Sequence, residues 1–332
     1  MFIYAGIDEA GYGPLFGPLL VGRAVFALPD RPPAGADPAA DPPALWDLLG
    51  KVVCRKVNDK RRRLAVNDSK KLTTAAAGIR HLETGCLAFA AAAGHTPTTL
   101  DQWVACLGER CHEALEGLPW YAPCADRPWN VLPVRVDAGE LAVARSMLAG
   151  GCQRAGVEVA DIGAAVVLED RFNRMVAATR SKAATSFTFV AGHLQHVWQT
   201  YGQHGPLVAV DRQGGRTHYR ELLALSFPDA AMTVLDESPE RSVYHLAGAE
   251  RRMTVRFEVE AEQAHMPVAL ASMISKYTRE LFMARFNAYF TTHLPEVAPT
   301  AGYAADAKRF WRDVEPALKQ LGIRGEQLCR QA

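Results

Sequence analysis

No apolar run in this 332-residue chain reaches the ~18 residues that a membrane span needs. CxxC pairs are absent, and the seven cysteines are scattered, which excludes a disulfide scaffold and fits free thiols in a reducing compartment. Cys106 and Cys111, the nearest pair, have no His or Cys partner at zinc-finger spacing. Charge of one sign is also missing. Lys plus Arg total 37 against 36 Asp plus Glu, so a polyanionic partner needs a local basic patch rather than bulk attraction. The opening MFIYAGIDEAGYG lacks a basic leader region and places acids at positions 8 and 9, so a secretory leader is not expected and the cytoplasm is the expected location. With 49% hydrophobic and 22% charged residues, neither disorder nor a coiled coil is expected, and a chain this long can bury a core without staples.

What is present is a mixture of short apolar runs and helical stretches. FIYAGI (2–7) and LLVGRAVFAL (19–28) read as two strands of a hairpin, the first ending at Asp8. The Pro/Ala/Asp-rich segment 29–43 reads as an exposed loop or linker. Helical patterns are expected at 74–93, 138–154 and 171–201, the last broken near 181–186. Strands are expected at 164–168, 207–210, 232–235, 243–246 and 253–259. Pro267 is suited to open a helix running to about 290, and an amphipathic helix follows over about 306–321. Strands interleaved with helices predict an α/β or α+β layered domain. No internal repeat is visible.

Chemistry concentrates at strand exits. Asp8 ends the first run, Asp211 ends the buried run LVAV, and Glu262 follows FEVEAE. A carboxylate leaving a buried strand is costly unless it has a task. Several such exits at one sheet edge suit a hard divalent ion such as Mg²⁺, and two ions about 4 Å apart serve phosphodiester hydrolysis. Asp8 and Glu9 are neighbours, so both reach one site only if the backbone turns there, with Gly11 and Gly13 supplying the freedom. Alone, each feature reads more often as turn chemistry, and the nine basic residues within 51–71 read more often as a solvated face.

The literal segments carry more. GIDEAGYGPLFGPL (6–19), NDSKKLT (67–73), VAVDRQ (208–213), EQAHMPVALASMISKYTRE (262–280) and Gly302-Tyr303 occur in the order of the signature elements of ribonuclease HII, the type 2 ribonucleases H, and the chain resembles that family over about half its length. The resemblance implies an α/β, ribonuclease H-like mixed central sheet flanked by helices, with large insertions near 29–60, 85–165 and 214–257 in a catalytic domain over 1–295. A helical segment over 296–332 would carry a substrate-contacting tyrosine. It implies Mg²⁺- or Mn²⁺-dependent hydrolysis of RNA in RNA–DNA hybrids at a two-metal site, leaving 5′-phosphate and 3′-hydroxyl ends. Carried over by position, the catalytic and metal-holding acids are Asp8, Glu9, Asp211 and Glu262. Glu258 and Glu260 share Glu262's face by period-two spacing, and Glu280 is a further candidate, so a neighbour can take its place. Gly11, Tyr12, Gly13, Ser69, Lys70, Lys71 and Tyr303 would contact an RNA–DNA hybrid or RNA-containing duplex. Two departures stand out. Tyr12 occupies the place of the family's arginine between the two glycines, and Arg212 follows the third acid where glycine is usual. Two other readings fit these residues: a non-cleaving hybrid-binding scaffold, and a metal phosphoesterase with small substrates.

Overall fold

A computed structural model describes residues 1–29, 40–74, 76–108, 115, 117–122, 130–214 and 216–331. The central part of the linker expected at 29–43 therefore lies outside the described residues, as do Cys111 and part of the segment 85–165.

The strands are β1 (Phe2–Ala10), β2 (Leu19–Leu28), β3 (Val53–Cys54), β4 (Leu64–Ala65), β5 (Glu158–Val167), β6 (Leu207–Asp211), β7 (Ala231–Glu237), β8 (Arg241–Ala247) and β9 (Arg252–Glu258). Seven of them form one sheet in the order β5-β2-β1-β6-β9-β8-β7, while β3 and β4 pair separately. The sheet is mixed: β1 runs parallel to β6 and β6 to β9, and the other pairs are antiparallel. The fold is thus α/β, a mixed seven-stranded sheet flanked by helices, as the residues led one to expect.

Period-two alternation divides the core between the two faces. Ile3, Ala5 and Ile7 point into one cluster with Val208 and Val210, covered by the Lys182–Tyr201 helix. Tyr4, Leu207 and Ala209 point to the other, covered by the 28-residue Met266–His293 helix. That helix lies almost on the backbone of β1. A Cβ added to Gly6 would stand 2.1 Å from the Val268 nitrogen, so only glycine permits the approach. Pro267 sits in the helix's first turn, where its missing N–H has no partner to lose.

Most apolar runs appear where expected, with three differences. β1 continues through Asp8 and Glu9 to Ala10 because each of these residues still pairs with β2, out to Ala10 opposite Leu20. The 171–201 stretch divides at Arg180, which is left-handed (φ 52°), and Ser181 then caps the next helix by accepting from the Ala184 N–H. The 214–257 stretch, expected as an insertion, supplies β7, β8 and most of β9, so it extends the central sheet to its edge. Among the described residues, no helix is long and apolar enough to cross a membrane.

Candidate active site

Asp8 and Asp211 come together through the register of the parallel pair β1–β6. Ile7 stands opposite Val210, which sets the next residues, Asp8 and Asp211, side by side at the strand exits. Both belong to the face covered by the Met266–His293 helix, because Tyr4 and Gly6 precede Asp8 on that face, and Leu207 and Ala209 precede Asp211. Asp8 is buried, and burial together with the neighbouring Asp211 charge pushes its carboxyl well above the usual range. The neighbouring Ser272 and the hydrogen bond from the Glu9 N–H act against this. Asp211 is pushed up to about 7, mainly by burial and also by the charges of Glu262 and Glu9, while the Ala261 N–H, donating at 3.0 Å, and Lys70 oppose the shift.

Glu9 does not share that face. It lies on the opposite side of the sheet, where its Oε2 accepts from Ser186 Oγ (2.7 Å) and Gln213 Nε2 (2.8 Å). The backbone turn expected to bring Asp8 and Glu9 into one site is therefore not formed, because strand pairing extends past both. Glu9's charge nevertheless raises the pKa of both Asp8 and Asp211. Ser186 and Gln213, which fix Glu9, left no mark as functional residues in the sequence.

Glu262 stands on the short Ala261–Ala264 turn, partly exposed. Burial raises its pKa first, then the charges of Asp68 and Glu260, with Lys70 opposing. The shared face expected for Glu258, Glu260 and Glu262 is not present, since β9 ends at Glu258 and Glu260 turns left-handed (φ 53°). Glu258 is paired with Asp211 in register, but its carboxylate is taken by His265 Nε2 at 2.8 Å and Arg256 at 3.4 Å. Burial keeps Tyr4 protonated, so its hydroxyl donates to His265 Nδ1 at 2.5 Å and His265 Nε2–H donates to Glu258. Glu280 pairs with Lys276 at 2.6 Å on its own helix.

The turn after β1 is held by two buried arginines that the sequence did not single out. Arg330 donates to the carbonyl oxygens of Gly11 (2.5 Å) and Pro14, and its own N–H donates to Leu15. Arg279 donates to Phe16 and Ala301, and its guanidinium lies 5.0 Å from the Tyr303 ring centroid. Leu15 N–H donates to Gly302. Tyr303 and the glycine turn are thus neighbours, and both Tyr12 and Tyr303 are exposed. Of the two turn glycines, only Gly11 has a left-handed backbone (φ 83°); Gly13 has none and faces open space. Ser69, expected against substrate, is buried and accepts from Ser272 Oγ at 3.0 Å, beside Asp8. Lys70 and Lys71 are exposed. Arg212 turns toward the β7–β8 connection, donating to Ser242 Oγ at 3.0 Å and to Pro239, which explains a long side chain after the third acid.

Among the described residues, no group of three or more His, Cys, Asp and Glu side chains stands ready to hold a metal ion. The donor chemistry of the Asp8–Asp211 pair still suits one. Mg²⁺ is commonly bound by one or two carboxylates, completing its shell with water and substrate phosphate oxygens. Two acids pressed together with raised pKa values are an excess of negative charge that a hard cation relieves.

No family model and no curated protein matches the chain. Solved structures are similar to it over most of its length. They include the ribonuclease HII of Archaeoglobus fulgidus in its complex with PCNA (14% identity, 99% of this chain, 94% of that chain, TM-score 0.40). The ribonuclease H2 of Pyrococcus horikoshii OT3 matches at 16% identity, over 98% and 92% of the two chains, with a TM-score of 0.42. Bst-RNase HIII in complex with Mn²⁺ matches at 13% identity, over 99% and 66%, with a TM-score of 0.41. The chain resembles ribonucleases HII and HIII. At identities and scores this low, any functional reading rests on the chain's own residues.

Proposed function

We propose that this protein is a divalent-metal-dependent endoribonuclease that hydrolyses the RNA strand of RNA–DNA hybrids, leaving 5′-phosphate and 3′-hydroxyl ends. The observation that carries the reading is the Asp8–Asp211 pair, two carboxylates delivered to one face by strand register, with Lys70 close enough to lower the pKa of Asp211. Asp8 and Asp211 would hold the cation, Mg²⁺ or Mn²⁺, with Glu262 at the margin and Glu9 acting across the sheet exit through its charge. Bound there, the ion would activate water and stabilise the leaving oxygen at phosphorus. The chain's own part is to fix these acids. The Glu9 N–H donates to Asp8, which lies beside Ser272, and the Ala261 N–H holds Asp211. Exposed Lys70 and Lys71 attract the phosphate backbone without reading bases. Tyr12, Gly13 and Tyr303 line the neighbouring turn, where a ribose 2′-hydroxyl would be distinguished.

Purified protein with Mg²⁺ or Mn²⁺ should cut the RNA strand of a labelled hybrid, and Asp211→Asn should abolish the cutting. Cutting by that variant at the wild-type rate rejects the assignment. A second reading, a scaffold that binds hybrid without cutting, is favoured by one feature: Glu9 is engaged by Ser186 and Gln213 on the far face. It predicts salt-sensitive binding and no turnover with either ion.

A further inference from the structure

We propose that the basic loop 55–62 is a second phosphate-backbone grip, fixed to the edge of the acid site and engaging a nucleic-acid duplex away from the point of cleavage. This rests on the reading above for the identity of the duplex and extends it to a surface beyond the acids. The loop carries five cations and one carboxylate in eight residues, in a chain whose net charge is only +1. A solvated face ordinarily interleaves acids among its bases, but the single acid here is already used. Asp59 accepts from Arg63 (Nη2 to Oδ1, 2.8 Å; Nε to Oδ2, 3.0 Å) and from the N–H groups of Arg61 and Arg63, closing the loop on itself. Those bonds hold the Asp59 carboxyl below the usual carboxylate range. Lys56, Lys60, Arg61 and Arg62 are exposed and make no ion pair among the described residues.

The loop is also registered to the site. Its root is the parallel pairing of Val53 with Leu64 and Cys54 with Ala65. The Arg55 carbonyl accepts from Asn67 Nδ2 at 2.9 Å, one residue before Asp68, which caps the Lys70 N–H. The Arg55 guanidinium lies 3.7 Å from the Trp46 ring centroid and donates to the Gln263 carbonyl at 2.7 Å, immediately after Glu262. One arginine therefore joins the basic loop to the turn carrying Glu262, and Lys70 and Lys71 follow it along the chain. Such cations, on a loop rather than a groove-reading helix, recognise phosphates and not sequence.

The test is metal-free binding of a fluorescent RNA–DNA hybrid across a salt series, comparing wild type with the triple variant Lys60→Ala, Arg61→Ala, Arg62→Asn. Asn is chosen because Arg62 is left-handed (φ 54°). The slope of log affinity against log salt should fall by roughly 2–3. Affinity should drop about tenfold or more for a long hybrid and little for one spanning only the acid site. A control pair, Lys319→Ala with Arg324→Ala, should leave slope and affinity unchanged. An unchanged slope in the triple variant, equal losses on long and short hybrids, or failure of the wild type to bind any duplex overturns the proposal. Wild-type binding with the expected slope change but no cleavage in Mg²⁺ or Mn²⁺ counts against hydrolysis alone and leaves the grip standing. Circular dichroism melts confirm that each variant is folded.

Discussion

Asp8 and Asp211 stand at the matched ends of two parallel strands, and burial holds both carboxyls above their ordinary range, with the Asp211 charge adding to the shift of Asp8 and those of Glu262 and Glu9 to that of Asp211. Such a pair is destabilising to the empty fold and useful only if something positive neutralises it. The Asp8→Asn variant should therefore show two opposed effects. Cleavage should fall by about 10²-fold or more, as when a single electrostatic partner is lost from a reacting centre. Thermal stability without metal should rise at pH 8, by ~2–4 °C for each kcal/mol of relieved repulsion and desolvation. Calorimetry with and without Mn²⁺ checks this, since the ion should stabilise wild type more than the variant. A variant that loses both activity and stability indicates a structural role for Asp8.

Glu258 and Glu262 offer a second contrast. Glu258 is in register with Asp211 yet already hydrogen-bonded by His265 and paired with Arg256, whereas Glu262 has no ion-pair partner among the described residues and is pushed upward by burial and its acidic neighbours. Glu262→Gln should lower cleavage and weaken Mn²⁺ dependence while changing stability little. Glu258→Gln should instead cost on the order of 1–3 kcal/mol, the usual loss when a buried charged partner is left short of a hydrogen bond. Denaturant melts and metal titrations of the two variants separate them, and the reverse pattern would exchange their roles.

The turn after β1 distinguishes its two glycines. Gly11 has φ 83°, and an added Cβ would meet the Pro18 carbonyl oxygen at 2.6 Å and Arg279 Nε at 2.8 Å, so Gly11→Ala should cost on the order of 1–3 kcal/mol and displace the turn. Gly13 has no such backbone, an added Cβ would meet nothing within 4 Å among the described residues, and Gly13→Ala should change stability by no more than about 0.5 kcal/mol. If Gly13→Ala nevertheless weakens hybrid binding, the open space beside it is where the substrate lies. Urea melts and hybrid-binding titrations of both variants provide the comparison.

The sequence made the sheet legible because apolar runs such as 19–28 and 207–210 bury their residues on both faces and break at turn residues. Asp211 was legible for the same reason, as a charge at the end of a fully apolar strand. The end of β1 was not, since Asp8 and Glu9 resemble turn residues while the pairing that keeps them in the strand comes from β2. Glu260 breaks the period-two pattern by turning left-handed, which no local apolar signal announces. The side chains that hold the site in place, Ser186 and Gln213 at Glu9 and Arg330 at Gly11, act across 177, 204 and 319 positions. Contacts at that separation leave no periodicity to read.

Glu169 gives a pH dependence separable from catalysis. It is fully buried behind the turn, where Oε1 accepts from Tyr121 Oη (2.5 Å) and the Gly17 N–H (3.0 Å), and Oε2 has no hydrogen-bond partner among the described residues. Burial pushes its pKa up to about 7 from 4.5, against those hydrogen bonds and the charge of Arg330. The folded protein thus holds a proton that the unfolded chain has released between about pH 4.5 and 7. The stabilisation is complete below about 4.5 and is lost as pH rises through about 7, by on the order of 3 kcal/mol at most. Glu169→Gln keeps an acceptor for Tyr121 and Gly17 and cannot ionise. Its stability relative to wild type should therefore grow between pH 5 and pH 8, and urea midpoints across that range measure the difference. A constant offset between the two proteins would mean that Arg330 holds Glu169 ionised throughout, and the turn would then rest on a buried ion pair instead of a proton.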